Sequence, residues 1–255
     1  MALGALTVKN LSFHYCAGLP VLQNINFGIQ PGERVALVGA NGSGKSTLQR
    51  HLNGLLRPQS GQIYVDDCPV IPAHFPQIRQ WIGLVFQNPD DQLFMPTVAE
   101  DVAFGLAALG WDNIPQKVEQ ALQAVNLNPQ IYGPRYPAHL SGGEKKRAAI
   151  AGILALQPRI LVLDEPSGQL DPRSRRQLIA LLSTLSGTQL IATHDLDLAW
   201  ELCERTLLLH QGQLVYDGPT TALLANVALL HAYELEPPLS FRRPYCALGD
   251  RPDQS

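Results

Sequence analysis

The stretch GANGSGKST, Gly39 to Thr47, constrains the fold more than any other part of the chain. It follows the apolar run VALVG and opens STLQRHLNGLL, which is the pattern G-x-x-x-x-G-K-[ST] between a strand and a helix. Glycines let backbone N–H groups curl around phosphates without Cβ clashes, and the helix N-terminus adds its dipole. We expect Lys45 to reach the β- and γ-phosphates and the Ser46 hydroxyl to bind Mg²⁺. The predicted nucleotide-binding residues are Gly39, Asn41, Gly42, Ser43, Gly44, Lys45, Ser46 and Thr47.

A second apolar strand, in ILVLDEPS (Ile160 to Ser167), delivers two carboxylates at its end. Asp164 is predicted to hold Mg²⁺ through water, as the Walker-B acid does in ATPases with such a loop. Glu165 points to the other face of the strand and is predicted to polarise an attacking water. An isolated Asp-Glu pair is more often a solvated turn, but four preceding apolar residues in a nucleotide-binding chain favour the functional interpretation.

Short apolar runs alternate with helical patterns, which is typical of buried parallel strands with crossover helices. The runs lie at 34–39, 82–86, 159–164 and 189–193, and residues 206–218 indicate two strands around a Gln-Gly turn, an antiparallel addition at one edge. The strand signal vanishes between Pro89 and about Leu156, where three helices are predicted. The fold class is therefore an α/β P-loop NTPase core with a mostly parallel sheet, antiparallel edge strands and an α-helical lobe inserted at about 89–156. We assign residues 1–225 to this domain and 226–255 to a short Pro-rich tail whose end is expected to be loose.

Composition excludes several classes of partner. The 255 residues are 45% hydrophobic and 16% charged, with a net charge of −3 and a pI near 6.1, so no basic surface favours nucleic acid. No apolar run approaches the roughly 18 residues of a transmembrane helix, and the start lacks the basic region of a signal peptide. We expect a soluble chain in the cytosol.

The segment LSGGEKKRAAIAG, Leu140 to Gly152, narrows the class of nucleotide hydrolase. Taken alone, it begins a helix with Ser141 as N-cap and Glu144 completing a capping box. Together with the two motifs above, the chain resembles the ATP-binding cassette (ABC) ATPases from about Leu6 to Gly218. The resemblance implies that Ser141, Gly142 and Gly143 bind the γ-phosphate held by a second ATPase subunit, which is either a second copy or a similar chain. Free N–H groups at a helix start are suited to that task.

The same resemblance implies roles for residues near the nucleotide. Tyr15 matches the aromatic residue that stacks on adenine; Phe13 is the second choice, and a core aromatic is the alternative interpretation. Gln87 matches the glutamine of the Q-loop, which senses Mg²⁺ and water and links to the transmembrane partner.

Two further matches lie after the second strand. Asp171 in SGQLDP matches the D-loop residue that contacts across the dimer, although Gln169 stands where the family usually has a small residue, which leaves the cross-dimer contacts in doubt. His194 in IATHD matches the switch histidine that contacts the γ-phosphate.

The stretch VFQNPDDQLF, Val85 to Phe94, resembles a narrower group, the A-component of energy-coupling-factor importers, including cobalt and nickel importer ATPases. There, coupling helices of a separate membrane T-component, which carry arginines, dock in the groove around this segment. Asp90 and Asp91 are therefore candidate docking acids, or they only open a helix, since carboxylates favour a helix N-terminus.

The function implied is that of the ATPase subunit at the cytoplasmic face of the cell membrane, working with a T-component and a substrate-binding membrane subunit. The transported substrate, a metal ion or a vitamin, is not encoded in this chain. A GTPase would need Asn-Lys-x-Asp, and the chain has no Asn-Lys pair. A soluble ABC-type ATPase with a regulatory or repair role remains the alternative.

Overall fold

The phosphate-binding loop predicted at Gly39 to Thr47, called the P-loop below, follows a central strand of the main sheet. In the computed structural model, which describes residues 5–15 and 18–238, this sheet has six strands. In spatial order they are β10 (Gln213–Pro219), β9 (Arg205–His210), β3 (Arg34–Val38), β8 (Thr188–Thr193), β7 (Ile160–Asp164) and β6 (Ile82–Val85). The four strands predicted to be parallel are confirmed, each to within one residue at either end.

One part of the prediction for residues 206–218 is wrong. Only β10 is an antiparallel edge strand, whereas β9 runs parallel to β3 and belongs to the main sheet. The turn chemistry of Gln211 and Gly212 correctly indicates a hairpin. It carries no information on the third strand that pairs with β9.

A second sheet, which the sequence analysis did not predict, packs against the first. In the described part of the chain it has four antiparallel strands in the order β2 (Leu22–Ile29), β1 (Leu6–Phe13), β4 (Ser60–Val65) and β5 (Cys68–Pro69). Its strands are irregular, because Asn10 and Asn24 adopt positive φ angles of 49° and 51° and the β1–β2 register shifts after Val8. Such irregularities break the alternation of apolar and polar residues by which a strand is recognised.

Helices lie on both sides of the main sheet. They are α1 (Lys45–Leu52), α2 (Phe75–Trp81), α3 (Val98–Ala108), α4 (Ile114–Ala124), α5 (Pro129–Tyr132), α6 (Gly142–Leu154), α7 (Pro172–Thr184), α8 (Leu196–Leu202), α9 (Thr220–Ala225) and α10 (Val227–Ala232). The helices α1 and α2 pack on the same side of the main sheet as the antiparallel sheet, whereas the later helices cover its other face and form the inserted lobe. The three predicted lobe helices are α3, α4 and α6, and the short α5 is an addition. Short 3-10 turns lie at Pro72–His74, Pro89–Asp91 and Pro137–His139.

Alternate residues of the main strands supply two separate cores. In β3, Val35 and Leu37 face the antiparallel sheet and α1, while Ala36 and Val38 face the helices. Because both faces are covered, the strands are almost uniformly apolar. Leu230, in the predicted tail, is also buried in the helical core. The prediction of a loose chain end concerns residues after 238 and lies outside the described part.

Helix starts in the lobe and beside the sheet follow local rules. The Thr97 and Asp195 side chains each accept a hydrogen bond from a backbone N–H in the first turn of α3 and α8. Ser141 forms the predicted capping box, with Glu144 Oε2 accepting from Ser141 N at 2.8 Å. These caps fix where each helix begins and thus where the residues just before it lie.

The lobe depends on packing between α3, α4 and α6, and Leu106 of α3 is fully buried there. We expect Leu106→Ala to lower the free energy of unfolding by about 2–5 kcal/mol, because it removes buried methyl groups and leaves a cavity. Leu109→Ala is the matched control, since Leu109 is 39% exposed at the end of the same helix. Urea denaturation measures both values, and equal losses would contradict this packing.

Candidate functional site

Four elements of the candidate site meet at one edge of the main sheet. The neighbouring strands β3, β8, β7 and β6 are parallel, so their carboxyl ends lie side by side. The P-loop follows β3, His194 follows β8, Asp164 ends β7, and Gln87 comes two residues after β6. Strand order thus brings together residues that are far apart along the chain.

The P-loop requires glycine at defined places because other backbone segments approach it closely. A Cβ at Gly39 would lie 2.2 Å from the Leu209 carbonyl oxygen, and one at Gly44 would lie 2.9 Å from the Val21 carbonyl oxygen. Gly44 also has a φ of 110°, in the left-handed region that favours glycine. The loop therefore leaves its N–H groups at the start of α1 accessible to an anion.

Lys45 and Glu165 form a buried ion pair beside this loop. The Lys45 ammonium donates to the Gly39 carbonyl at 2.7 Å and lies 3.7 Å from Glu165 Oε1. Burial lowers the pKa of Lys45, and the nearby charges of Glu165 and Asp164 counter that effect. A positive charge is therefore held in a partly dry site, where it interacts strongly with phosphate.

Glu165 contacts several of the candidate site residues through its buried carboxylate. Only 5% of Glu165 is exposed; its Oε1 lies 2.9 Å from His194 Nδ1, and its Oε2 accepts from the Thr193 hydroxyl at 3.3 Å. Its backbone adopts a φ of 43°, which is unusual for a residue with a side chain. Backbone strain of this kind collects at functional sites, where the surrounding structure imposes it.

Asp164, Ser46 and Gln87 supply oxygens that suit Mg²⁺. The Asp164 carboxylate hydrogen-bonds to the Ser46 hydroxyl, and burial raises its pKa. The Asp164 oxygen Oδ1 is buried and has no hydrogen-bond partner among the described residues. An unpartnered buried carboxylate oxygen is costly unless something binds it. Carboxylate and hydroxyl oxygens are ligands that Mg²⁺ accepts, so these residues fit the predicted metal ion.

A cavity of about 380 Å³ joins these groups. That volume lies within the usual range of small-molecule sites. Val21, which the sequence analysis did not predict, also lines it. The predicted residues that line it are Asn41, Gly42, Gly44, Lys45, Ser46, Thr47, Gln87, Asp164 and Glu165.

The two candidate aromatics differ in position. Tyr15 is 55% exposed, and its hydroxyl lies 3.2 Å from the Thr47 hydroxyl at the start of α1. Phe13 packs edge-on against Tyr15 and against the buried ring of His51. Tyr15 therefore presents a free aromatic surface next to the P-loop, whereas Phe13 belongs to the packing beneath it.

Ser141, Gly142, Gly143 and Asp171 do not line this cavity. Ser141 and Gly142 are exposed at the start of α6. Asp171 caps α7, accepting from the backbone N–H groups of Arg173 and Ser174. One chain therefore carries two separate candidate phosphate-binding features.

Asp90 and Asp91 lie in the 3-10 turn that follows Gln87. The cap of this turn is Asn88, whose side chain accepts from Asp90 N. Asp90 forms an ion pair with Lys145 of α6 at 2.7 Å and is 59% exposed. Asp90 is thus accessible but already partnered within the chain.

The sequence analysis missed Lys146, which has the largest fully buried side chain among the residues that the structure describes. Its ammonium donates to the Gln87 carbonyl, and burial lowers its pKa to about 8. A signal was present, because Lys146 lies three residues after Gly143 and four before Ile150, on the buried face of α6.

Comparisons with known proteins define the class. The ABC transporter family model matches residues 22–168. A putative ABC transporter ATP-binding protein of Gloeobacter violaceus is 52% identical over 240 residues, which cover 93% of this chain and 98% of that protein. The energy-coupling factor transporter ATP-binding protein EcfA of Methanothermobacter thermautotrophicus is 44% identical, covering 91% of this chain and 76% of that protein. The chain therefore belongs to the ABC transporter family of ATP-binding proteins.

A solved structure agrees with this assignment. CbiO1 from Clostridium perfringens, described as part of the ABC transporter complex cbiONQ, matches with a TM-score of 0.79 and 35% identity, covering 90% of this chain and 94% of that one. The predicted P-loop fold class and the ATPase activity are thereby confirmed.

The close approach at Gly39 leads to a testable expectation. Gly39→Ala should weaken ATP binding at least about tenfold, because the new methyl group must push the loop away from Leu209. Gly28→Ala is the matched control, since a Cβ there meets no atom nearer than 3.7 Å. Isothermal titration with MgATP measures both variants. Unchanged affinity in Gly39→Ala would show that the loop tolerates a side chain.

Proposed function

We propose that this chain is the ATP-hydrolysing subunit of an energy-coupling-factor importer, peripheral to the cytoplasmic face of the cell membrane. The observation that carries the catalytic part is the single cavity shared by the P-loop, Gln87, Asp164 and Glu165. The similarity to EcfA and to cbiO1 supports the importer type. The cargo is a metal ion such as cobalt or nickel, or a vitamin, and it is carried by a separate membrane subunit.

Within the cavity each side chain has one task. Lys45 and the N–H groups of the P-loop hold the β- and γ-phosphates, and Tyr15 stacks on the adenine. Ser46, Asp164 and Gln87 hold Mg²⁺, which when bound neutralises charge on the phosphates. Glu165 accepts a proton from the attacking water. His194, 2.9 Å from Glu165, orients that carboxylate and contacts the γ-phosphate.

The separation of the two phosphate-binding features implies a dimer. The start of α6, with Ser141 to Gly143, does not line the cavity of its own chain. Two subunits that pair head to tail bring the start of α6 in one onto the nucleotide held by the other, and Asp171 lies in the same interface. Symmetric pairing makes both sites equivalent. A similar ATPase chain serves equally well as the second subunit.

An exposed apolar groove beside the Q-loop is the proposed contact with the membrane T-component. It measures about 200 Å³ and lies between α3 and α6, where Phe94 and Phe104 stack edge to face at 4.9 Å. Both rings are exposed, and apolar surface of this kind marks interaction sites. Asp90 and Asp91 supply negative charge next to the groove. No helix within residues 5–15 and 18–238 is long and apolar enough to cross a bilayer.

Glu165→Gln tests the assigned chemistry. We expect ATP binding to persist while hydrolysis falls about 10²–10⁴-fold, because the amide cannot accept the proton and the P-loop is unchanged. The variant should also accumulate as a MgATP-dependent dimer in gel filtration. Glu204→Gln, an exposed glutamate away from the site, is the control. Wild-type turnover in Glu165→Gln would refute the role of Glu165, and a monomer at saturating MgATP would count against self-pairing.

Charge reversal at Asp90 and Asp91 tests the membrane partner. The double variant Asp90→Lys/Asp91→Lys should keep soluble ATPase activity but bind the membrane subunits about tenfold more weakly, about 1.4 kcal/mol, since rim charges contribute modestly. Pull-down of co-expressed membrane subunits measures attachment.

Two controls separate docking from local structure. Asp112→Lys/Glu119→Lys makes the same charge change at exposed lobe positions. Lys145→Met removes the partner of Asp90 within the chain and should leave attachment intact. If the Asp90/Asp91 variant is slightly less stable but retains its complex, the two acids only start the turn. Failure of the wild-type chain to co-purify with any membrane subunit favours the alternative of a soluble, non-transport ATPase.

A further inference from the structure

Lys146 is a charged side chain in an unusual environment. It is 2% exposed, and its ammonium donates to the Gln87 carbonyl. No carboxylate lies within ion-pair distance of it among residues 5–15 and 18–238, although Asp164 and Glu165 act on it from farther away. Burying an ammonium group without a paired carboxylate costs free energy. Stability of the fold is therefore a poor explanation for a lysine here.

The segment from Phe86 to Gln92 is attached to α6 at three points. Lys146 holds the Gln87 carbonyl, and Lys145 pairs with Asp90 at 2.7 Å. At the far end, the Gln92 side chain donates to the Ala149 carbonyl at 2.8 Å and accepts from Phe86 N at 3.2 Å. The Gln92 side chain therefore joins the two ends of the segment to each other and also joins the segment to α6.

The three attachments differ in depth. In the Asp90–Lys145 pair the Asp90 side chain is 59% exposed, and ion pairs open to solvent contribute little. The Gln92 contacts hold the end that lies away from the cavity. Only the Lys146 hydrogen bond is made at Gln87, which lines the cavity together with Ser46 and Asp164, and the donor residue is 2% exposed.

We propose that Lys146 is a positioning residue for ATP hydrolysis, whose hydrogen bond to the Gln87 carbonyl holds the Gln87 amide at the cavity. The inference rests on the proposed function and deepens it. Since Lys146 and the residues Ser141 to Gly143 are on the same helix, the position of Gln87 follows the position of that helix.

Lys146→Met is the sharpest test, because methionine has a similar length and shape, fits a buried site and lacks a donor. We expect kcat to fall about ten- to hundredfold with KM for ATP within about twofold, since the P-loop is untouched and the reacting groups are misplaced. Hydrogen exchange of the backbone amides in residues 87–92 should become faster. The melting temperature should not fall.

Two further variants complete the comparison. Lys146→Arg keeps a donor and a charge and should recover most of the lost kcat. Lys117→Met makes the same change elsewhere in the lobe, where Lys117 packs on Trp111, and should behave as wild type. If Lys146→Met fails to fold, Lys146→Leu replaces it, because leucine is also apolar and has no donor for the Gln87 carbonyl.

The outcomes separate this inference from the proposed function. If Lys146→Met has the kcat of the wild type and the same hydrogen exchange in residues 87–92, the inference is overturned. A loss of kcat in both Lys146→Met and Lys146→Arg that merely tracks a lower melting temperature also overturns it, because that result indicates a structural role. If the wild-type chain hydrolyses no ATP, the proposed function fails. Hydrogen exchange of residues 87–92 still tests whether the Lys146 hydrogen bond holds the Gln87 segment in place.

Discussion

The contact on which the rest of the site depends is the buried carboxylate of Glu165 between Lys45 and His194. It joins the segments that follow three adjacent parallel strands, β3, β7 and β8. The P-loop, Asp164 and His194 are thus held in one arrangement around a single group. A carboxylate buried to this degree is stable only with such partners, so the arrangement depends on both contacts.

The helix α6 extends this arrangement to the rest of the molecule. Its start carries the capping box and the two exposed N-terminal positions proposed to contact a partner's nucleotide. Its buried face holds the Q-loop through Lys146, and its side next to α3 forms the apolar groove. One rigid helix therefore contacts the candidate dimer interface, the cavity and the candidate membrane interface. Coupling between distant sites needs such a continuous physical connection.

The sequence analysis succeeded for elements that local patterns determine. The parallel strands at 34–38 and 160–164 were found from continuous apolar runs, and the capping box from Ser141 and Glu144. It failed for the antiparallel sheet, whose strand β1 is interrupted at Asn10, and for the direction of β9. Strand direction depends on a third strand, which no local pattern specifies.

The sequence by itself determined the chemical groups of the site and the backbone that presents them. The lysine at 45 and the acids at 164 and 165 have their character from side-chain chemistry, and the positive φ of Gly44 is a local requirement for glycine. Only the tertiary structure decided which of these groups meet. Lys45 and Glu165 are 120 residues apart in sequence yet 3.7 Å apart in space, and Lys146 meets the Gln87 carbonyl across 59 residues. The physical reason is that such contacts follow from strand order and helix placement, which are set by packing of the whole core.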